Sequence, residues 1–136
     1  MPTIRTESAM IKLGQKLGQT LTPPTTIELV GDVGTGKTTL TKGIAEALDI
    51  SDPITSPSFT LSKIYQSKTC ILAHYDFYRL PDPGIMEQDL AESISDPHTI
   101  TIVEWADTIR GILPKNHLKI TIKYNNDGSR QVEITK

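Results

Sequence analysis

The chain has 136 residues, 37% of them hydrophobic, and a prior of about 150 residues per domain makes it a single domain, large enough to bury roughly two-thirds of its unfolded surface without staples. One cysteine, Cys70, excludes an internal disulfide framework and a multi-cysteine metal site, so a reduced, cytoplasmic setting is expected. Fourteen Lys and Arg against sixteen Asp and Glu leave a net charge of −2; the whole-molecule field has no long-range pull on a polyanion, and a nucleic-acid partner is expected only through another protein.

In chain order, Met10, Leu13, Leu17 and Leu21 recur at helical spacing behind Thr6 or Ser8 as an N-cap, which predicts an amphipathic helix stopped by Pro23-Pro24. A β-rich run, Thr26 to Val30, then meets a glycine loop, and Leu40, Ile44, Ala47 and Leu48 predict a helix from Lys37 to Asp49. Strand, loop and helix make the first half of a βαβ unit. Two strands, Thr60 to Gln66 and Thr69 to Tyr75, are expected as a hairpin around Gln66-Ser67-Lys68, followed by a short helix from Ile85 to Ile94. The run Thr99 to Val103 reads as a further strand reached by a crossover long enough to be parallel. The tail alternates apolar and polar residues on both sides of Asn125-Asn126-Asp127-Gly128, a strong hairpin signal with one solvated face. The expected architecture is a three-layer α/β fold of the P-loop NTPase kind, its mixed and mainly parallel sheet edged by antiparallel hairpins. No apolar stretch approaches the ~20 residues of a spanning helix, and residues 2–10 carry no signal-peptide pattern, so no membrane association is expected.

Gly31-Asp32-Val33-Gly34-Thr35-Gly36-Lys37-Thr38 fits G-x-x-x-x-G-K-[ST] at every fixed position. Typical residue usage gives such a match by chance in about 0.5% of chains this long, and its place between a strand and a helix is the one the chemistry requires. Glycines let successive backbone N–H groups curl around a phosphate, and the helix N-terminus adds positive potential. Lys37 is then expected on the β- and γ-phosphates of a nucleotide and Thr38 on Mg²⁺. A loop of this kind also needs an acid for the metal and a group that orients the attacking water. Asp76 and Glu104 each follow an apolar run, and ligands of open α/β sheets gather at the carboxyl ends of strands. Arg79 suits either phosphate neutralisation or an ion pair, Trp105 either nucleotide stacking or the core, and His74 either polarisation or a buried position; His98 and His117 have no metal-ligand spacing.

Together with His74-Tyr75-Asp76-Phe77-Tyr78-Arg79-Leu80 and Val103-Glu104-Trp105, the loop Gly31 to Thr39 makes the chain resemble the TsaE family over almost its whole length. That family comprises bacterial P-loop ATPases required for threonylcarbamoyladenosine (t6A) formation beside the tRNA anticodon. The resemblance implies that Gly31 to Thr39 bind ATP, that Thr38 and Glu104 serve the magnesium ion and hydrolysis, and that Asp76 and Arg79 lie beside the phosphates with Trp105 next to the family's Glu. It implies a switch-like loop at Thr55 to Leu61, in which Ser58 replaces the usual Thr, and it places Met10 where many members carry a Thr in the first helix. It also implies TsaB and TsaD as protein partners, with tRNA reached only through them.

Two other activities fit a P-loop. A small metabolite kinase normally supplies several lid arginines, whereas this chain has only Arg5, Arg79, Arg110 and Arg130. A nucleotide-gated binding module with negligible turnover would keep its role when Glu104 is replaced. A GTPase is disfavoured by the lack of N-K-x-D and D-x-x-G, and a transporter ATPase by the lack of L-S-G-G-Q.

Overall fold

Thr6 sets the start of the first helix: its extended backbone lets the hydroxyl accept the Ala9 amide at 3.0 Å, and α1 runs Glu7–Thr20. The computed structural model describes residues 2–32, 34–57, 62–78 and 84–135. Two further helices, α2 (Lys37–Ala47) and α3 (Ile85–Ser95), accompany strands β1 (Thr3–Ile4), β2 (Thr25–Val30), β3 (Ser62–Gln66), β4 (Ile71–Asp76), β5 (Thr99–Glu104), β6 (Leu118–Tyr124) and β7 (Arg130–Thr135).

All seven strands form one sheet in the order β1-β7-β6-β2-β5-β4-β3. Its centre is parallel, since β2 lies between β5 and β6 and β5 pairs with β4 in the same sense. Both margins are antiparallel hairpins, β3–β4 and β6–β7, with β1 added antiparallel outside β7. This is the expected mixed α/β sheet. Strand β1 escaped the sequence reading because two residues are too short to show a period.

Alternation along the strands divides the core between two faces. Ile27, Leu29, Leu72, Ile100, Ile102, Ile120 and Ile122 pack with Met10, Leu40 and Ile44 of α1 and α2. Ala73, Tyr75 and Val103 face the other way, against Leu90 of α3 and Ala106 and Ile109 of the 3-10 turns that follow β5. Helices therefore cover both faces, giving three layers. On the first face α1 and α2 cross closely at Gly14 and Gly43: a Cβ on either residue would lie 2.9 Å from the other's Cα.

Most described boundaries fall within one residue of expectation, and two differ by two residues. Helix α2 stops at Ala47 because Leu48 forms its C-cap and Asp49 turns left-handed at φ 62°. The second strand of the first hairpin starts at Ile71, because the Ser67 hydroxyl accepts the amides of Thr69 at 3.3 Å and Cys70 at 3.2 Å and keeps both in the turn.

Candidate nucleotide site

Beyond Val30 the chain leaves the centre of the sheet and folds back into α2. Gly34 at φ 83° and Gly36 at φ 112° occupy the left-handed region, where a side chain would be strained. A Cβ on Gly31 would sit 2.6 Å from Thr35 Oγ1 and 3.0 Å from the Ile122 carbonyl oxygen, so the loop is drawn tightly over its own base. The Thr35 amide donates to the Asp32 carbonyl at 3.2 Å, and its hydroxyl donates to the same oxygen at 2.8 Å. Met10 of α1 is fully buried beneath the loop, its Cε 3.2 Å from where a Gly36 Cβ would stand. At this position the chain supports the loop with a thioether where a threonine would offer a hydroxyl.

Lys37 opens α2 with its side chain turned back into the loop. Its Nζ donates to the Gly31 carbonyl at 2.7 Å, lies 3.4 Å from Glu104 Oε1, and sits 4.4 Å from the Trp105 ring centroid. Trp105 reaches that place because it leaves β5 in the left-handed conformation, φ 55°, which swings the indole over Lys37 and against Tyr78 at 4.7 Å between ring centroids. The sequence alone left it between core and site; it is half-buried, packed against the core around Tyr75 and Leu90 while its ring lies over Lys37.

Asp76 and Glu104 are direct register partners at the ends of the parallel pair β4–β5. Counting back by twos to Leu72 and Ile100 puts both on the α1–α2 face, where the loop lies. Asp76 accepts the Tyr78 amide at 2.8 Å, and both carboxylates are buried. His74, two residues before Asp76 on the same face, is fully buried with Nε2 2.5 Å from Glu104 Oε2. Among the described residues its Nδ1 has no partner. A buried N–H without an acceptor costs more than an idle lone pair, so the ring proton belongs on Nε2, donated to the carboxylate. His74 takes the buried one of its two readings, and from there its ring meets the Glu104 carboxylate; the period-2 spacing from Asp76 is the signal that puts it on that face.

Thr38 and Thr39 fall in the first turn of α2. Val33, Ser58 and Arg79 lie outside the described residues. Among those described, no three His, Cys, Asp or Glu converge as a metal cluster. The donor types of Thr38, Asp76 and Glu104, a hydroxyl and two carboxylates, nonetheless suit magnesium, which takes few protein oxygens and completes its shell with water and substrate oxygens.

On the other face of β2, a cavity of about 430 Å³ reaches from Glu28 to Gly31 and Asp32, walled by Trp105, Arg110 and Tyr124. Glu28 is buried there, 2.8 Å from Arg110 Nη2 and 3.2 Å from His117 Nε2. Burial by itself would raise its pKa, but hydrogen bonding and charge from Arg110, helped by His117, bring it below the ordinary carboxylate range. His117, which the sequence left without a role, belongs to this ion cluster.

The model of the family described as "Threonylcarbamoyl adenosine biosynthesis protein TsaE" matches residues 4–132. The chain belongs to the TsaE family. It is 37% identical over 132 residues to a protein of Nostoc sp. named "tRNA threonylcarbamoyladenosine biosynthesis protein TsaE", covering 95% of this chain and 81% of that one. A Bacillus subtilis protein of the same name is 39% identical over 114 residues, covering 83% and 70%. Among solved structures, the one titled "Crystal structure of Bacillus subtilus YdiB" superposes with a TM-score of 0.79 at 30% identity, covering 96% of this chain and 80% of that chain. The segment matched to TsaE contains the whole loop, His74, Asp76 and Glu104. Membership places the chain in a family of t6A biosynthesis. Among the described residues no helix is long and apolar enough to cross a membrane.

Proposed function

We propose that this chain is a magnesium-dependent ATP hydrolase of the cytoplasm that supports t6A modification of tRNA by acting on a TsaB–TsaD complex. The observation that carries the reading is the position of Lys37 Nζ, 2.7 Å from the Gly31 carbonyl and 3.4 Å from Glu104, where one ammonium group joins the phosphate loop to a buried acid. Membership in TsaE supports the pathway, and TsaB and TsaD as protein partners are proposed on that basis.

Loop amides at the N-terminus of α2 receive the phosphates, and Lys37 moves its charge from Glu104 to the β- and γ-phosphate oxygens. Glu104, still held by His74, then orients the attacking water and takes up its proton. Magnesium, when bound, neutralises charge on the β- and γ-phosphates; Thr38 with Asp76 and Glu104 would hold it. Asp76 has its Oδ1 fixed by the Tyr78 amide, which orients its other oxygen. The net charge of −2 agrees with a subunit that meets proteins and leaves tRNA to them.

The test is ATP hydrolysis with and without Mg²⁺, by the chain alone and with its cognate TsaB–TsaD pair, using Lys37→Ala as the blank. Stimulation by the pair that the variant lacks is the expected result. Hydrolysis indifferent to the pair overturns the partner assignment, and transfer of phosphate to a small acceptor overturns the hydrolase reading.

A further inference from the structure

The phosphate loop is gripped from outside itself. Tyr124 and Arg130 are register partners at the turn end of the β6–β7 hairpin, some ninety residues beyond the loop in sequence. The Tyr124 hydroxyl donates to the Gly34 carbonyl at 2.5 Å, and Arg130 Nη2 donates to the same oxygen at 3.3 Å. The guanidinium carbon lies 5.2 Å from the Tyr124 ring centroid, so the two side chains approach the oxygen as a stacked pair.

The turn chemistry of the hairpin explains why they arrive together. Asn125 and Ser129 close the turn through a 2.8 Å amide-to-carbonyl bond, and Gly128 takes the left-handed position at φ 84°. Asp127 accepts the Ser129 amide at 3.0 Å and its hydroxyl at 2.5 Å. These bonds fix the register, and the register places Tyr124 opposite Arg130. The arrangement has a cost that hairpin stability does not explain: Arg130 Nε is buried without a partner among the described residues.

Two left-handed glycines give the loop much freedom to lose on binding a phosphate. The peptide between Gly34 and Thr35 is held at both ends, its carbonyl by Tyr124 and Arg130 and its N–H by the Asp32 carbonyl at 3.2 Å. Because a peptide is planar, holding both groups fixes its rotation. We infer that Tyr124 and Arg130 are positioning residues that hold the Gly34–Thr35 peptide of the glycine loop in its phosphate-receiving orientation before nucleotide arrives. This rests on the nucleotide-binding reading above; its effect is to have the ordering entropy lost during folding, so that less is lost on binding.

The experiment compares wild type, Tyr124→Phe, Arg130→Gln, the double variant and Lys37→Ala by hydrogen exchange of the Thr35 and Gly36 amides without nucleotide, and by calorimetric titration with Mg·ADP. Tyr124→Phe should exchange these amides about five- to tenfold faster and bind ADP weaker by a similar factor, as expected for one lost hydrogen bond. The double variant should lose less than the product of the single losses, because both donors share one acceptor. In turnover, KM for ATP should rise by more than kcat falls. A side chain serving only the hairpin would instead lower the thermal midpoint and leave loop exchange unchanged. Wild-type exchange and affinity in Tyr124→Phe and in the double variant overturn the inference. Failure of wild type to bind ADP overturns the nucleotide reading, and the exchange arm still decides whether the hairpin holds the loop.

Discussion

His74 Nε2 and Glu104 Oε2 meet at 2.5 Å across the parallel pair β4–β5, while the other oxygen of the same carboxylate faces Lys37 at 3.4 Å. The acid is therefore held from two sides, and in the proposed function only the lysine side is released when phosphate binds. Replacing His74 by Leu should lower kcat about tenfold or more while changing nucleotide affinity less, since the carboxylate loses its orientation and the loop does not. Gln, whose amide nitrogen can reach the place of Nε2, should recover part of the rate. Steady-state kinetics on both variants checks this, and equal rates for Leu and Gln would refute the orienting role.

Glu104→Gln should retain most of the affinity for Mg·ADP and lose about 10² to 10⁴ in turnover, the range typical of a removed general base. Affinity and rate falling together would make Glu104 chiefly a binding ligand. Single-turnover hydrolysis beside calorimetry separates the two.

Trp105 is the only tryptophan in the sequence, and the Lys37 ammonium sits 4.4 Å from its ring centroid. Moving that charge onto a phosphate changes the field at the indole, so ADP titration should shift its fluorescence. Lys37→Ala should start with a shifted emission and fail to respond to ADP. An unresponsive wild type at saturating ADP would mean that Lys37 stays where it is.

Gly14→Ala should cost about 1–3 kcal/mol of stability, despite alanine's better helix propensity. The new methyl would lie 2.9 Å from Gly43 Cα and 3.0 Å from the Ile44 amide nitrogen, both backbone atoms that yield only if α1 and α2 part. Since α2 begins at Lys37, loosened nucleotide binding should accompany the loss. Urea melts and ADP titration of the same variant test both halves.

Glu28 supplies a pH dependence of folding. Its folded pKa is lowered, so its contribution is fully present above the ordinary carboxylate range and disappears as pH falls through the lowered folded value. Glu28→Gln should flatten the acid limb of a plot of thermal midpoint between about pH 7 and about pH 3. Arg110→Ala should cost about 1 kcal/mol at neutral pH, because its side chain is 51% exposed and His117 still faces the carboxylate.

Much of this architecture was legible in the residues. Period-3.6 apolar spacing marks α1 and α2, and the strand–glycine–helix order puts Lys37 at the start of α2. Period-2 alternation put His74 and Asp76 on one face, but which neighbouring strand would carry Glu104 beside them is a property of sheet order, which local pattern does not encode. The same limit hid the Tyr124–Arg130 grip and the Glu28–Arg110–His117 cluster, whose members are 82 or more residues apart where Glu28 meets Arg110 and His117. Trp105 was ambiguous because its position depends on a single left-handed residue, and no propensity scale favours tryptophan there.

The strand that carries the phosphate loop, β2, is flanked on one side by β6 and thus by residues 118–124. During synthesis the loop and its helix leave the ribosome long before that neighbour is made, so the nascent chain holds an unpaired, apolar strand edge beside a glycine loop. The final hairpin supplies both the missing neighbour of β2 and the side chains that meet the loop. A ribosome stalled before residue 118 would therefore carry every residue of the phosphate loop in a chain still open to pairing with other proteins.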